Sequence, residues 1–271
     1  MLASDLDPRQ AAADLLRWYA EMGVDAALDE TPRNRLAEAR ENLTSPAAAR
    51  TEPVARPAAF AGAAAPAEDV TAQARLLARS AQTLDELRAL LEKFEGCALR
   101  TTAKSLVFAD GQPGGRVMLV GEAPGAEEDR VGLPFVGRSG QLLDRMLAAI
   151  GLDRNQVYIA NIIPWRPPGN RTPTPQETAV CLPFVTRQIA LADPDILVCL
   201  GGPSAQTLLG FKDGIMRSRG RFVPYDTGTR SIQAIATLHP AYLLRQPLQK
   251  RLAWRDLKAI RAALGKAPGP R

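Results

Sequence analysis

Beyond Arg116 the chain repeats one device four times: a short run of consecutive apolar residues that stops at a glycine or a polar loop. The runs are Arg116 to Val120 (RVMLV), Val157 to Ile163 (VYIANII), Asp195 to Leu200 (DILVCL) and Ile232 to Thr237 (IQAIAT). Helical spacing of apolar residues fills the intervals, at Gly140 to Ile150, Glu177 to Ala190 and Ser204 to Leu209, and again at Gln249 to Leu264. A strand that is apolar at successive positions must be covered on both faces, and strands alternating with helices supply that cover in a parallel sheet. The predicted class is therefore α/β, with a parallel sheet between helices. In such sheets ligands collect beyond the carboxyl ends of the strands, so function is sought just after each run.

The first part of the chain reads differently. Leu15, Leu16, Trp18, Tyr19, Met22, Val24 and Leu28 predict one amphipathic helix within residues 1–30. Residues 31–70 are rich in Ala, Pro, Arg and Glu and lack the large apolar side chains that offset ordering entropy, which predicts a disordered linker. Leu76, Leu77, Leu84, Leu87, Leu90 and Leu91 restore helical spacing over 71–95, so a compact domain is expected over 71–265 with a tail at 266–271. No apolar run approaches the roughly 20 residues that span a bilayer, and the start, MLASDLDPRQ, carries acids where a signal peptide carries bases. Cys97, Cys181 and Cys199 are an odd number spaced far apart, which fits a reducing compartment and a cytoplasmic protein with no membrane partner. The net charge of +5 is uneven: residues 1–80 hold 9 bases against 12 acids, and the remainder holds 25 against 17. The predicted folded part is the basic part, as a phosphate-binding surface requires, although many domains are mildly basic without one.

Three loops follow the strands. After the first run come Gly121-Glu122-Ala123-Pro124-Gly125, then Glu128, then Phe135 in a glycine-flanked loop leading to Arg138 and Ser139. Turn-forming residues explain much of this as plain surface loop. They do not explain an acid directly behind a strand or a ring with little core to join. Neither GxGxxG nor GxxxxGK(S/T) occurs there, which disfavours nucleotide hydrolysis. The second run carries Asn161 and leads into a rigid, basic loop with Arg166 and Arg171. An asparagine at a strand end also commonly caps or satisfies backbone. After the last run comes His239-Pro240-Ala241-Tyr242-Leu243-Leu244-Arg245, and His239 is the only histidine of the chain. A lone histidine is more often structural than catalytic, yet Glu122, Asn161 and His239 converge on one edge of the sheet.

GEAPGAEED (121–129), GLPFVGRSGQLL (132–143), YIANI (158–162), WRPPGNR (165–171) and HPAYLLRQP (239–247) together resemble the family 4 uracil-DNA glycosylases. The similarity runs over about residues 85–264. It implies a three-layer α/β/α fold around a four-stranded parallel sheet, and removal of uracil from DNA to leave an abasic site, without a membrane or a second copy of the chain. By resemblance, Glu122 and His239 are catalytic: Glu122 orients water or stabilises the sugar cation, and His239 donates to the anion developing on O2. Phe135 stacks on the flipped uracil, Asn161 pairs with its polar edge, and Glu128 fills the space of a thymine methyl. Gly121, Ala123, Pro124 and Gly125 complete the uracil pocket. Arg138, Ser139, Arg166, Arg171, Pro240, Tyr242 and Arg245 are expected on DNA, with Leu243 and Leu244 forming the wedge that enters the duplex.

Elementary chemistry agrees with these roles. A stacked base cannot be cut from its sugar, so it is extruded and its edge read in a pocket. Uracil offers a donor at N3 and an acceptor at C4, which one amide satisfies with its carbonyl and its NH₂. The family resemblance also implies a 4Fe–4S cluster on four cysteines, a CxxC pair, one in the WRPP loop and one in the next helix. The CxxC here reads Phe94-Glu95-Gly96-Cys97 and the loop position is Trp165, leaving Cys97 and Cys181. No cluster, no metal and no other cofactor is therefore expected. An alternative from another class stays open, a module that binds uracil or abasic DNA without useful turnover.

Overall fold

The computed structural model describes residues 67–266. The helix expected within 1–30, the linker up to residue 66 and the tail from 267 on lie outside the described residues. The helical spacing expected over 71–95 is carried by two helices, α1 (Ala67–Ser80) and α2 (Leu84–Lys93), and α1 begins within the stretch read as linker. The break has a local cause. Thr83 Oγ1 accepts the Glu86 N–H at 3.1 Å and the Glu86 carboxylate accepts the Gln82 N–H at 2.6 Å, a reciprocal cap that starts a new helix.

After the short α3 (Leu99–Thr102) come β1 (Asp110–Gly111), β2 (Val117–Gly121), α4 (Ala126–Val131), α5 (Arg138–Ala148), β3 (Val157–Asn161), α6 (Pro175–Ala192) and β4 (Ile196–Leu200). Then follow α7 (Gly202–Leu209), α8 (Ile215–Ser218), β5 (Phe222–Asp226), β6 (Ser231–Thr237), α9 (Pro240–Arg245) and α10 (Lys250–Lys266).

The sheet has six strands in the order β1-β3-β2-β4-β6-β5. It is mixed, which corrects the expectation of a four-stranded parallel sheet. The four predicted runs pair in parallel in its middle, while β1 and β5 are antiparallel edges. Neither edge advertises itself in the sequence. β1 has two residues, and β5 is partly exposed and contains Pro224, which an edge strand tolerates because one side of it needs no ladder bond. β2, β3 and β4 are buried at every position. Alternate residues serve opposite layers. Met118, Val120, Tyr158, Ala160, Leu197 and Cys199 pack with Leu87 of α2 and with Phe184 and Ile189 of α6. Val117, Leu119, Ile159 and Val198 pack with Leu143 and Leu147 of α5 and Leu257 and Ile260 of α10. No helix among the described residues is long and apolar enough to cross a membrane.

Candidate active site

The carboxyl ends of β2, β3, β4 and β6 open into one cavity of about 590 Å³. Parallel register puts the first two functional side chains side by side, because Gly121 at the end of β2 pairs with Asn161 at the end of β3. A Cβ on Gly121 would stand 2.4 Å from Asn161 Oδ1 and 2.8 Å from Phe135 Cζ, so glycine is what lets the amide and the ring meet there. Asn161 is 4% exposed, and its Oδ1 is the one buried side-chain oxygen or nitrogen among the described residues without a hydrogen-bond partner. An unmet buried acceptor is costly unless a ligand supplies the donor.

Phe135 lies in the loop between α4 and α5 with φ at 54°, in the left-handed region. Its ring centroid is 5.5 Å from that of His239. Glu128 is buried and organises this loop: it accepts from Gly125 N at 3.1 Å, Val136 N at 3.1 Å and Gly137 N at 2.9 Å. Both of its oxygens are thus engaged while it lines the cavity. Glu122, Ala123, Pro124 and Gly125 line the same wall. Burial pushes the Glu122 carboxyl above the usual carboxylate range.

His239 caps α9. Its Nδ1 accepts the Ala241 N–H at 3.1 Å, so the ring proton sits on Nε2. Loss of water around the ring, and then the Arg245 charge, push its pKa down to about 4 against a smaller opposing effect of Glu128. The histidine is a neutral Nε2–H donor at pH 7. Gly201, after β4 at φ 93°, gives it room, since a Cβ there would approach His239 Cβ to 3.1 Å.

The residues expected on DNA divide. Ser139, Arg171, Tyr242 and Arg245 line the cavity and Arg138 is exposed at the start of α5. Pro240 is buried at the start of α9, where its missing N–H costs nothing. Arg171 is engaged by Glu177 at 2.9 and 2.6 Å, which holds that carboxyl at about 2, and Arg166 donates to Asn170 Oδ1 at 2.7 Å. Leu243 departs from expectation. It is fully buried in the layer beneath the sheet, because one turn of α9 points it inward, and as folded it cannot enter a duplex. Leu244 beside it is 36% exposed and is the leucine of α9 that reaches the surface. The wall after β4, Gly201 to Pro203, and the stretch Thr172-Pro173 also line the cavity and escaped the sequence reading. The signal for the former was present, a strand ended by two glycines.

Cys97 and Cys181 are in contact, Sγ to Sγ 3.9 Å, and both are buried. Phe94 and Trp165 belong to the same apolar cluster, 4% and 2% exposed, with the Phe94 ring 5.0 Å from Phe184. Cys199 lies inside β4, facing that layer. No three of His, Cys, Asp or Glu gather to hold a metal among the described residues. Two thiols among large apolar side chains do not fit a cluster that needs four ligands.

Comparison with known proteins points the same way as the geometry. The uracil DNA glycosylase superfamily profile matches residues 108–258. The chain is 37% identical over 179 residues to the type-4 uracil-DNA glycosylase of Thermotoga maritima, covering 65% of this chain and 92% of that one. It is 36% identical over 189 residues to that of Archaeoglobus fulgidus, covering 68% and 95%, and 35% identical over 178 residues to that of Pyrobaculum aerophilum, covering 64% and 91%.

Proposed function

Because this chain belongs to the uracil-DNA glycosylase superfamily, we propose that it is a monofunctional uracil-DNA glycosylase, which flips uracil out of DNA and hydrolyses its N-glycosidic bond. The observation that carries this reading is the unpartnered Oδ1 of Asn161, buried beside the Phe135 ring. Uracil N3–H gives that oxygen its missing donor, and the Asn161 NH₂ donates to O4. Cytosine presents an acceptor at N3 and a donor at N4, so it would strand buried polar groups on both sides. Phe135 supplies the stacking face. Glu128 takes the space a thymine methyl would need.

As the glycosidic bond lengthens, the base gains negative charge and the sugar positive charge. His239 donates from Nε2 to O2 and strengthens that bond only as the anion forms. A neutral donor suits this task, since it needs no counter-charge in the free pocket. Glu122 faces the sugar, stabilises its positive charge and orients the attacking water. Leu244 takes the part of the wedge, with Arg138, Ser139, Tyr242 and Arg245 along the DNA, Pro240 buried beneath them at the start of α9, and Arg166 and Arg171 shaping the loop that borders it. The products are free uracil and abasic DNA, and the protein acts as a monomer on the chromosome, in the cytoplasm.

The cluster of the family plays no part in this scheme, because Phe94 and Trp165 occupy two of its ligand positions. The purified protein is expected to carry no stoichiometric iron or sulfide; full occupancy of either by elemental analysis would refute this. Single-turnover assays on an oligonucleotide with one uracil test the activity itself. The parent should leave an alkali-labile abasic site. Replacing His239 by alanine should slow the chemical step by about 2–4 kcal/mol of barrier with little change in affinity. A parent that binds uracil-DNA and never cuts it would establish the binding-only alternative.

A further inference from the structure

We propose that Arg154 is a positioning residue for base recognition: its guanidinium holds the backbone at Phe135 in the conformation that sets the ring beside Asn161 and against His239. This rests on the base-flipping role given above to Phe135. The backbone there is unusual. A φ of 54° is a region that L side chains seldom enter, bulky ones least of all, and such a residue keeps it only where its surroundings over-determine it.

Three contacts do so. On the carbonyl side, Arg154 donates from Nη1 to the Pro134 oxygen at 3.1 Å and from Nη2 to the Phe135 oxygen. On the amide side, Glu128 accepts the N–H groups of Val136 and Gly137. Beneath, α5 closes against the loop through Gly140, where a Cβ would stand 1.7 Å from the Phe135 oxygen. Successive peptide groups on either side of the ring are therefore gripped by opposite charges.

Arg154 is itself fixed. Its Nη1 reaches Asp110 Oδ2 at 2.5 Å and its Nε reaches Asp144 Oδ1 at 3.2 Å, leaving the side chain 22% exposed. Asp110 is one of the two residues of β1, which gives that short edge strand a purpose beyond closing the sheet. Arg154 stands in the turn that leads directly into β3, and the other end of β3 carries Asn161. One segment of chain thus holds the stacking ring at one end and presents the reading amide at the other. Only a planar fork meets two carbonyls and two carboxylates at once, which a lysine ammonium cannot do.

The test is a double-mutant cycle in the full chain, Arg154→Gln crossed with Phe135→Ala. Two quantities are read, the single-turnover rate on a uracil duplex and the binding preference for uracil over thymine duplexes. Arg154→Gln should lower the rate about ten- to a hundredfold in a protein that still melts cooperatively, since small misplacements cost that much. Added to Phe135→Ala, the same change should cost less than about twofold. Arg154→Lys should fall between Arg154→Gln and the parent. An equal loss in both backgrounds would show that Arg154 acts on stability or on another group, and a folded Arg154→Gln protein at the parent rate would also overturn the proposal. If Arg154→Gln does not fold, Arg154→Lys and Asp110→Asn carry the same cycle. If the parent cuts no uracil, the catalytic reading fails separately. The cycle is then decided on binding preference, which Arg154→Gln must erode only where Phe135 is present.

Discussion

The carbonyl oxygen of Asn161 is buried without a donor, a situation worth about 1–3 kcal/mol against the folded protein. A site tolerates this when the ligand repays it, so base choice should follow the chemistry of this one side chain. In Asn161→Asp the side chain is a buried carboxyl, and in its protonated form such an acid donates to cytosine N3 and accepts from its N4 amine. Uracil excision should fall and cytosine excision should become measurable on paired oligonucleotides; an unchanged uracil rate would remove Asn161 from base reading. His239 and Glu122 make a second expectation at this scale. With its pKa down at about 4, His239 gives no inflection in the rate near pH 6.5, and the acid-side loss of activity belongs to Glu122, whose carboxyl is raised by burial. A pH–rate profile checks this: Glu122→Gln should be slow and lack the acid limb. The stability sign follows from the same histidine. Between pH 6.5 and 4 the unfolded chain takes up a proton that the folded ring refuses, so this contribution to stability is present above 6.5 and is lost as pH falls towards 4.

At the scale of elements, α5 and the loop ahead of it behave as one part. The helix meets the Phe135 carbonyl at Gly140 with no space for a methyl group, and the obstacle is backbone rather than a movable side chain. Gly140→Ala should therefore push α5 away from the loop. Overpacking of this kind costs about 1–3 kcal/mol, visible as a lower urea midpoint, and uracil excision should fall with it. Gly214→Ala is the matched control. Its φ is −61° and nothing lies within 4 Å of the added carbon, so both stability and activity should stay near the parent. Equal effects of the two substitutions would show that glycine content, not the contact, matters.

Across the whole molecule, every residue assigned to the site lies between Gly121 and Arg245, within the described residues. Removing residues 1–66 should leave excision on short oligonucleotides nearly unchanged, with α1 kept intact because it packs on α6. A truncated chain that stays folded by circular dichroism yet loses excision would make the first segment part of the catalytic unit.

The parallel middle of the sheet, and the placing of Glu122, Asn161 and His239 at one end of it, could be read from the sequence because each depends on neighbours in the chain. Burial on both faces makes a strand apolar at every position, and a residue that follows such a strand can only lie at its carboxyl end. The edge strands could not be read this way, since pairing on one side asks little of composition. Nor could the choice between Leu243 and Leu244, which turns on the exact rotation of α9 over the core. The protonation of His239 depends on how much water its folded surroundings remove and on the Ala241 N–H; the grip of Arg154 depends on Asp110 and Phe135, tens of residues away or on another element. Periodicity is a property of adjacent residues. Charge pairing, desolvation and backbone strain are properties of groups brought together from distant positions, and only the tertiary fold decides which groups those are.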